Sequence, residues 1–454
     1  MELVDKLVTV VGLSKRTGVE TVKFLVQQGA KVIATDTKSQ TKLAEEINLL
    51  DDYEVDLDLG GHTPELILNS DLIVISPGVP IDIPLLNQAR GAGIEVISEV
   101  ELAYRYTTAQ ILAITGSNGK TTTTMLTGEI FKETDFKTIV GGNIGRALIK
   151  DLPYLSKEDL AIAEISSFQL EGTKEFRPKI SLVLNLTPDH LDRHGTFENY
   201  AAAKKKIVVN QRKEDYAILN YDDQDVRQFA NSTAAEVVFF SQQEELEKGV
   251  FVTDNKIVSN LKGQTEEIIS IEQLGLKGPH NLENALGAIA MSLLMGVSKD
   301  KLVKVLSEFT SVEHRIEGVA TIKGVKYVND SKGTNPAAAI KALETFNEPI
   351  ILIAGGMNKE SDFTDFAKIA ANKIKGLVLL GETADEIEDK VKEFGFTDTY
   401  QVSGIEEATH QASQLASQGD IVLLSPACAS WDMFSSYKHR GKMFKKAVQS
   451  LRRG

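Results

Sequence analysis

The chain has 454 residues, 42% of them apolar and 25% charged; this is a globular composition on a length that one core rarely serves, so two to three domains are expected. A formal net charge of −14 opposes binding to nucleic acid or anionic membranes, and no basic stripe interleaved with aromatics offsets it. No apolar run approaches the roughly 18 residues of a membrane span, Glu2 and an immediate strand pattern argue against a signal peptide, and the single cysteine, Cys428, precludes an internal disulfide and suits a reducing cytoplasm.

Val-, Ile- and Leu-rich runs alternate with helical stretches along the chain. Residues 7–13, 31–36, 72–76 and 95–98 form a first group of strands, 111–116, 160–166 and 180–187 a second, and 350–356, 376–381 and 420–427 a third. Continuous apolar strands separated by helices signal parallel sheets covered on both faces. The expected fold is α/β with three domains in series. A Rossmann-like N-terminal domain (1–107) precedes a central P-loop ATPase-type sheet (108–312), and a Rossmann-like C-terminal domain (313–454) follows. The segment 232–275 (EVVFFS, VFVTDNKIV, EEIISI) is expected to append antiparallel hairpins to the central sheet.

In the first domain, residues 11–18 (VGLSKRTG) half-match a dinucleotide fingerprint, but Ser14 or Lys15 stands where a second glycine would admit a pyrophosphate. Asp36 and Thr37 end the second strand, where a ribose or base is met. A nucleoside diphosphate other than NAD fits better, against the alternative of a plain strand–helix turn.

The strongest motif is Gly116-Ser117-Asn118-Gly119-Lys120-Thr121-Thr122, after an apolar strand and before a helix that starts near Lys120. Glycines let loop N–H groups turn inward around an anion, the helix start adds partial positive charge, and Lys120 supplies an ammonium for phosphates. Thr121 offers a hydroxyl to Mg²⁺. Ile114 stands where the common P-loop has its first glycine. Other side chains are ambiguous on their own. Glu164, at a strand end, is a cap or a magnesium ligand. His190 reads as a structural histidine. Lys204-Lys205-Lys206 reads as a solvated basic face, and Asn281 as a helix cap.

Ten motifs spread over the chain change that reading: TGSNGKTT (115–122), GGNIG (141–145), EISSFQLE (164–171), NLTPDHLDRHG (185–195), YAAAK (200–204), GPHNLENA (278–285), EHRIE (313–317), NDSKGTNP (329–336), AGGMNKESDF (354–363) and SPACASWDMF (425–434). Together they resemble the Mur ligases, which build the peptide stem of bacterial peptidoglycan. The closing motif and the lack of a DNPR-type sequence imply, within that family, addition of D-glutamate to UDP-N-acetylmuramoyl-L-alanine. ATP would phosphorylate the carboxylate, and the amine would attack the acyl phosphate.

The resemblance implies ATP and two Mg²⁺ ions, with Thr121, Glu164, His190 and a CO₂-derived carbamate on Lys204 as ligands. It places Asn281 and Asn284 on adenine, Arg315 on phosphate and Asp330 on ribose. Lys332, Thr334, Lys359, Ser430 and Tyr437 would hold D-glutamate, with Asn143 and His190 near the muramoyl-alanine end. Arg16, Thr17, Asp36, Thr37, Lys38, Ser76 and Gly78 would take the uridine diphosphate, although Lys38 replaces an arginine of the family. Closure is expected about a hinge near 311–317, in a monomer. Another Mur ligase or a folylpolyglutamate synthetase-like amide ligase remains the alternative. A regulatory ATPase is disfavoured by the dicarboxylate-binding cluster, and an NAD-dependent dehydrogenase by the missing glycine.

Overall fold

A computed structural model describes residues 1–261, 263–310, 313–358 and 361–452. The chain divides into two compact units, 1–186 with 198–269 and 286–305, and 187–197 with 270–285 and 306–454.

The first unit holds two sheets. One is wholly parallel: β1 (Leu7–Val11), β2 (Lys31–Asp36), β3 (Asp56–Leu59), β4 (Leu72–Ile75) and β5 (Glu95–Ser98), ordered β3-β2-β1-β4-β5. The order reverses between β1 and β4, and such a switch point leaves a crevice beyond the strand ends.

The other sheet contains β6 (Gln110–Thr115), β7 (Thr138–Gly142), β8 (Leu160–Glu164), β9 (Ile180–Val183), β10 (Tyr216–Asn220), β11 (Glu236–Ser241), β12 (Gly249–Thr253), β13 (Lys256–Ser259) and β14 (Glu266–Ser270), ordered β14-β13-β12-β11-β10-β9-β6-β8-β7. β6, flanked by β8 and β9, is buried from Ile111 to Thr115, as its unbroken apolar run requires. The expected hairpin patch is only partly antiparallel. β11 runs parallel to both β10 and β12, and the reversal comes at β12–β13, around Asp254-Asn255. β9 stops at Val183 rather than running to 187. Beyond it the chain turns onto the loop after β6, where Leu184 N–H donates to the Thr115 carbonyl at 3.0 Å.

Buried polar groups join these two sheets. The Glu101 carboxylate, fully buried, accepts from Arg105 Nε and from the backbone N–H groups of Lys174, Glu175 and Phe176 at 2.9–3.1 Å. Ser98 N–H donates to the Gly172 carbonyl at 2.9 Å. A carboxylate satisfied by that many donors makes a stiff joint.

Its neighbour Glu99 is less well served. One oxygen accepts from Ile149 N–H at 2.7 Å, the other has no partner among the described residues, and burial pushes the carboxyl pKa up to about 7 despite the Arg16 charge nearby. An acid whose folded pKa is raised stabilises the fold below its unfolded value, near 4.5, and that contribution fades as pH rises through 7. Glu99→Gln keeps the shape without the charge. Its melting temperature should therefore gain on the parent's between pH 5 and pH 8, by the equivalent of about 3 kcal/mol. Thermal denaturation curves that shift in parallel over that range would refute this.

The second unit carries β15 (Glu317–Ile322), β16 (Val325–Asn329), β17 (Ile350–Ala354), β18 (Ile374–Leu379), β19 (Thr399–Gln401) and β20 (Ile421–Leu424), ordered β15-β16-β20-β17-β18-β19. β15 is antiparallel to β16 and the rest are parallel. Side chains alternate along β17: Ile350, Leu352 and Ala354 enter one core, Ile351 and Ile353 the other. Helices therefore cover both faces.

Candidate active site

The loop between β6 and the helix Lys120–Lys132 needs glycine at two points. Gly116 has φ 153° and Gly119 φ 82°, backbone that L-residues adopt only under strain. Gly119 then caps a helix whose first N–H groups have no intrahelical carbonyl. The Lys120 ammonium donates to the carbonyls of Gly116 and Ser117 at 2.7 and 2.9 Å, so it lies over the loop. Ser117 and Tyr200 hydroxyls meet at 2.8 Å. Not every loop amide turns inward as the sequence suggested. Ser117 N–H donates to the Asn185 carbonyl and Asn118 N–H to Asn185 Oδ1, both at 2.8 Å.

Three predicted residues converge beside the loop. Glu164, 1% exposed at the end of β8, accepts from Thr121 Oγ1 at 2.7 Å and from Asn143 Nδ2 at 2.8 Å. The Asn143 carbonyl in turn accepts from Arg16 Nη1 at 2.8 Å. A continuous polar chain thus runs from the turn after β1 to the phosphate loop. Thr121 and Glu164 present hard oxygens side by side, the donor type that Mg²⁺ takes.

Lys204 corrects the reading from charge alone. It is 1% exposed, its ammonium donating to the Gly116 carbonyl at 2.7 Å and lying 4.8 Å from the Tyr200 ring centre. Residues i and i+4 share a helix face, and here Tyr200 and Lys204 both press against the loop. Lys205 and Lys206 are half-buried. Lys120 and Lys204 donate to the same carbonyl oxygen, that of Gly116, each at 2.7 Å, so both ammonium groups converge on the loop.

Beyond β1, β2 and β4 lies a cavity of about 650 Å³ whose walls include Asp36, Thr37, Lys38, Ser76 and Gly78. Asp36 accepts from the N–H groups of Leu13 and Lys38, both at 2.9 Å, which shapes the turn. Arg16 and Thr17 are not in those walls. Arg16 reaches Asn143, and Thr17 is buried with its hydroxyl 2.6 Å from that of Ser14. His62, which sequence reasoning missed, is in the wall, with Nδ1 2.8 Å from Thr35 Oγ1.

The second unit gathers the remaining predicted residues. His190, at φ 54°, opens the short helix Leu191–His194, its Nε2 3.6 Å from Asp189. Asn281 and Asn284 lie on the first turns of the helix Pro279–Leu294, their amides 3.3 Å apart. Beside them, burial holds the His280 imidazole neutral, its pKa pushed down to about 3. Asp330 is buried and accepts from Ser425 Oγ at 2.8 Å, and desolvation raises its pKa to about 6. Among the described residues, Arg315 Nε is buried without a hydrogen-bond partner.

The Lys332 ammonium is 5.7 Å from the Tyr437 ring centre, and Thr334 N–H donates to the Lys332 carbonyl at 2.9 Å. Ser430 is buried, while Lys359 and, within the expected hinge, Ser311 and Val312 lie outside the described residues. Two segments of this group are tied by Arg440, a residue the sequence did not single out. Its buried guanidinium donates to Ser331 Oγ and to the carbonyls of Ser331, Cys428 and Ala429 at 3.0–3.3 Å. Burial lowers its pKa to about 10 and lifts that of the Cys428 thiol to about 12, so the cysteine is no nucleophile.

Known proteins match this arrangement along its length. The Mur ligase MurD-like N-terminal domain matches residues 6–98, the Mur ligase middle domain 114–292, and the Mur ligase glutamate ligase domain 314–428. UDP-N-acetylmuramoylalanine–D-glutamate ligases from Alkaliphilus metalliredigens and Clostridioides difficile are 50% and 44% identical, each over 100% of both chains. Among solved structures, UDP-N-acetylmuramate-alanine ligase from Thermotoga maritima matches at TM-score 0.60 and 19% identity, over 98% of this chain and 100% of that one. The MurF ligase from Thermotoga maritima in complex with ADP matches at 0.61 and 17%, over 99% and 96%. With three domain models in chain order and relatives half identical from end to end, this chain belongs to the Mur ligase family.

Proposed function

We propose that the chain joins D-glutamate to UDP-N-acetylmuramoyl-L-alanine in an ATP-dependent reaction, through an acyl phosphate, as a step of peptidoglycan synthesis. The observation that carries this reading is end-to-end identity of up to 50% with ligases bearing that name. The phosphate loop and its neighbours supply the chemistry. A carboxylate would have to expel oxide to react with an amine. Transfer of the ATP γ-phosphoryl group to it creates a leaving group, and the amine of D-glutamate then displaces phosphate. Little covalent work falls to the protein, and positioning and charge neutralisation dominate.

In this reading Lys120 and the first N–H groups of its helix hold the β- and γ-phosphates. Thr121 and Glu164 are magnesium ligands, and magnesium supplies charge neutralisation at the phosphates. Lys204, taken as a carbamate, exchanges its positive charge for oxygen donors, and His190 is assigned as a further ligand. Asn281 and Asn284 address the base, Asp330 the ribose and Arg315 phosphate. Lys332, Thr334, Lys359, Ser430 and Tyr437 take the two carboxylates of D-glutamate, for which cations and hydroxyls are suited.

Asp36, Thr37, Lys38, Ser76 and Gly78 take the uridine diphosphate. Arg16 acts through Asn143, which lies toward the muramoyl-alanine end. Domain limits at 107/108 and 312/313, a hinge near 311–317, a monomeric state and a cytoplasmic setting belong to the same reading. Among the described residues no helix is long and apolar enough to cross a membrane.

Phosphate release with UDP-N-acetylmuramoyl-L-alanine tests the proposal. D-Glutamate is expected to support turnover at least about 100-fold better than L-glutamate, L-alanine, L-lysine or diaminopimelate, because a misplaced carboxylate leaves buried partners unpaired. Equal turnover with L-lysine would overturn the assignment.

A further inference from the structure

We infer that Asn185 is a positioning residue of the phosphate loop that determines which loop amides can meet a triphosphate. The inference rests on the ATP-dependent reading above. Asn185 is 5% exposed and makes three bonds to the loop. Its carbonyl accepts from Ser117 N–H at 2.8 Å, its Oδ1 accepts from Asn118 N–H at 2.8 Å, and its Nδ2 donates to the Asn118 carbonyl at 3.3 Å. The side-chain amide thus engages both main-chain groups of Asn118, as a neighbouring strand would.

The support is itself fixed. Leu184 N–H donates to the Thr115 carbonyl at 3.0 Å, Asn220 Nδ2 to the Leu184 carbonyl at 2.8 Å, and Leu186 N–H to Asp223 Oδ2 at 2.7 Å. With the amides of 117 and 118 committed to Asn185, and the carbonyls of 116 and 117 turned to the Lys120 ammonium, the loop keeps its shape without an anion. The cradle for phosphate is then the first turn of the helix Lys120–Lys132, where the helix dipole favours an anion.

Few side chains can replace this amide, because the site needs an acceptor and a donor on one short planar group. Aspartate sets a carboxylate oxygen against the Asn118 carbonyl and brings a negative charge toward the phosphates. Alanine removes two of the three bonds.

The test uses Asn185→Asp, Asn185→Ala and Asn185→Ser in the full chain, with ATP affinity measured by calorimetry and KM measured for each substrate. Asn185→Asp is expected to weaken ATP binding and raise its KM by about tenfold or more, and Asn185→Ala by a lesser factor. KM for the UDP substrate and for D-glutamate should stay within about twofold, which a merely structural residue would not ensure. Folded variants with unchanged ATP affinity overturn the inference, as does an equal rise in KM for all three substrates. If Asn185→Asp does not fold, the alanine and serine variants decide by the same measure. A parent chain that binds ATP without forming product defeats the activity reading alone, and the Asn185 inference is then judged on affinity; a parent without ATP affinity defeats both.

Discussion

Lys120→Ala is expected to lower kcat for phosphate release by roughly three orders of magnitude, with the melting temperature moved by only a few degrees. The asymmetry follows from what the side chain touches. Its ammonium donates to two backbone carbonyls at the mouth of the loop, and one of them also accepts from Lys204. Removing the lysine leaves that carbonyl a donor, and the loop is also held through Ser117, Asn118 and their partners. Phosphoryl transfer has no such substitute, since the cation must follow charge that develops on the transferred group. A Lys120→Ala variant with more than a tenth of the parental kcat would sink the phosphate assignment for this loop.

Lys204→Arg is expected to have a comparably large effect for a different reason. If the working form of Lys204 were an ammonium that braces Gly116, arginine would keep the charge and a donor, and activity would stay within about tenfold. A carbamate needs an unprotonated amine to add to CO₂, and guanidinium is protonated at any accessible pH. Loss of about a thousandfold in kcat is therefore expected, together with a ¹³CO₂-derived carbamate resonance in the parent that the variant lacks. Arginine at this buried site also adds volume, so melting curves should accompany the assay. Near-parental turnover in a folded Lys204→Arg variant would rule the carbamate out.

The main architecture was legible because buried parallel strands must be nearly all apolar, and the runs at 72–76, 111–116 and 350–356 are nearly so. The phosphate loop was legible for a related reason: glycines, a lysine and threonines between a strand and a helix have few other uses. Strand direction was less accessible. Alternation in EVVFFS reports which side chains face the core and is silent on whether the neighbour runs up or down, so β11 was expected in a hairpin and is parallel to both its partners.

On charge alone Lys204 was hidden by its neighbours, since three successive lysines look alike; only the YAAAK motif separated it, and the fold sets its ammonium 4.8 Å from the Tyr200 ring centre. Arg440 lies among Lys438, Lys442, Lys445 and Lys446 on the helix Tyr437–Ser450, and nothing in that basic run marks it as the buried one. Thr17 shows what a local hydrogen bond adds. It sat in a fingerprint-like turn, and its hydroxyl is spent inside that turn on Ser14. Roles that depend on a second segment, such as that of Asn185, have no sequence signature without the fold.

The Arg440 guanidinium bears on how such an enzyme can change. It grips Ser331 on one segment and Cys428 and Ala429 on another, next to Lys332 and Ser430 respectively. Three of the four acceptors are main-chain carbonyls, so neither segment can shift its backbone without loosening the other, and a lineage whose new amino-acid preference needs such a shift would have to alter both in step. Directed evolution that diversifies one segment at a time should therefore stall where paired libraries do not.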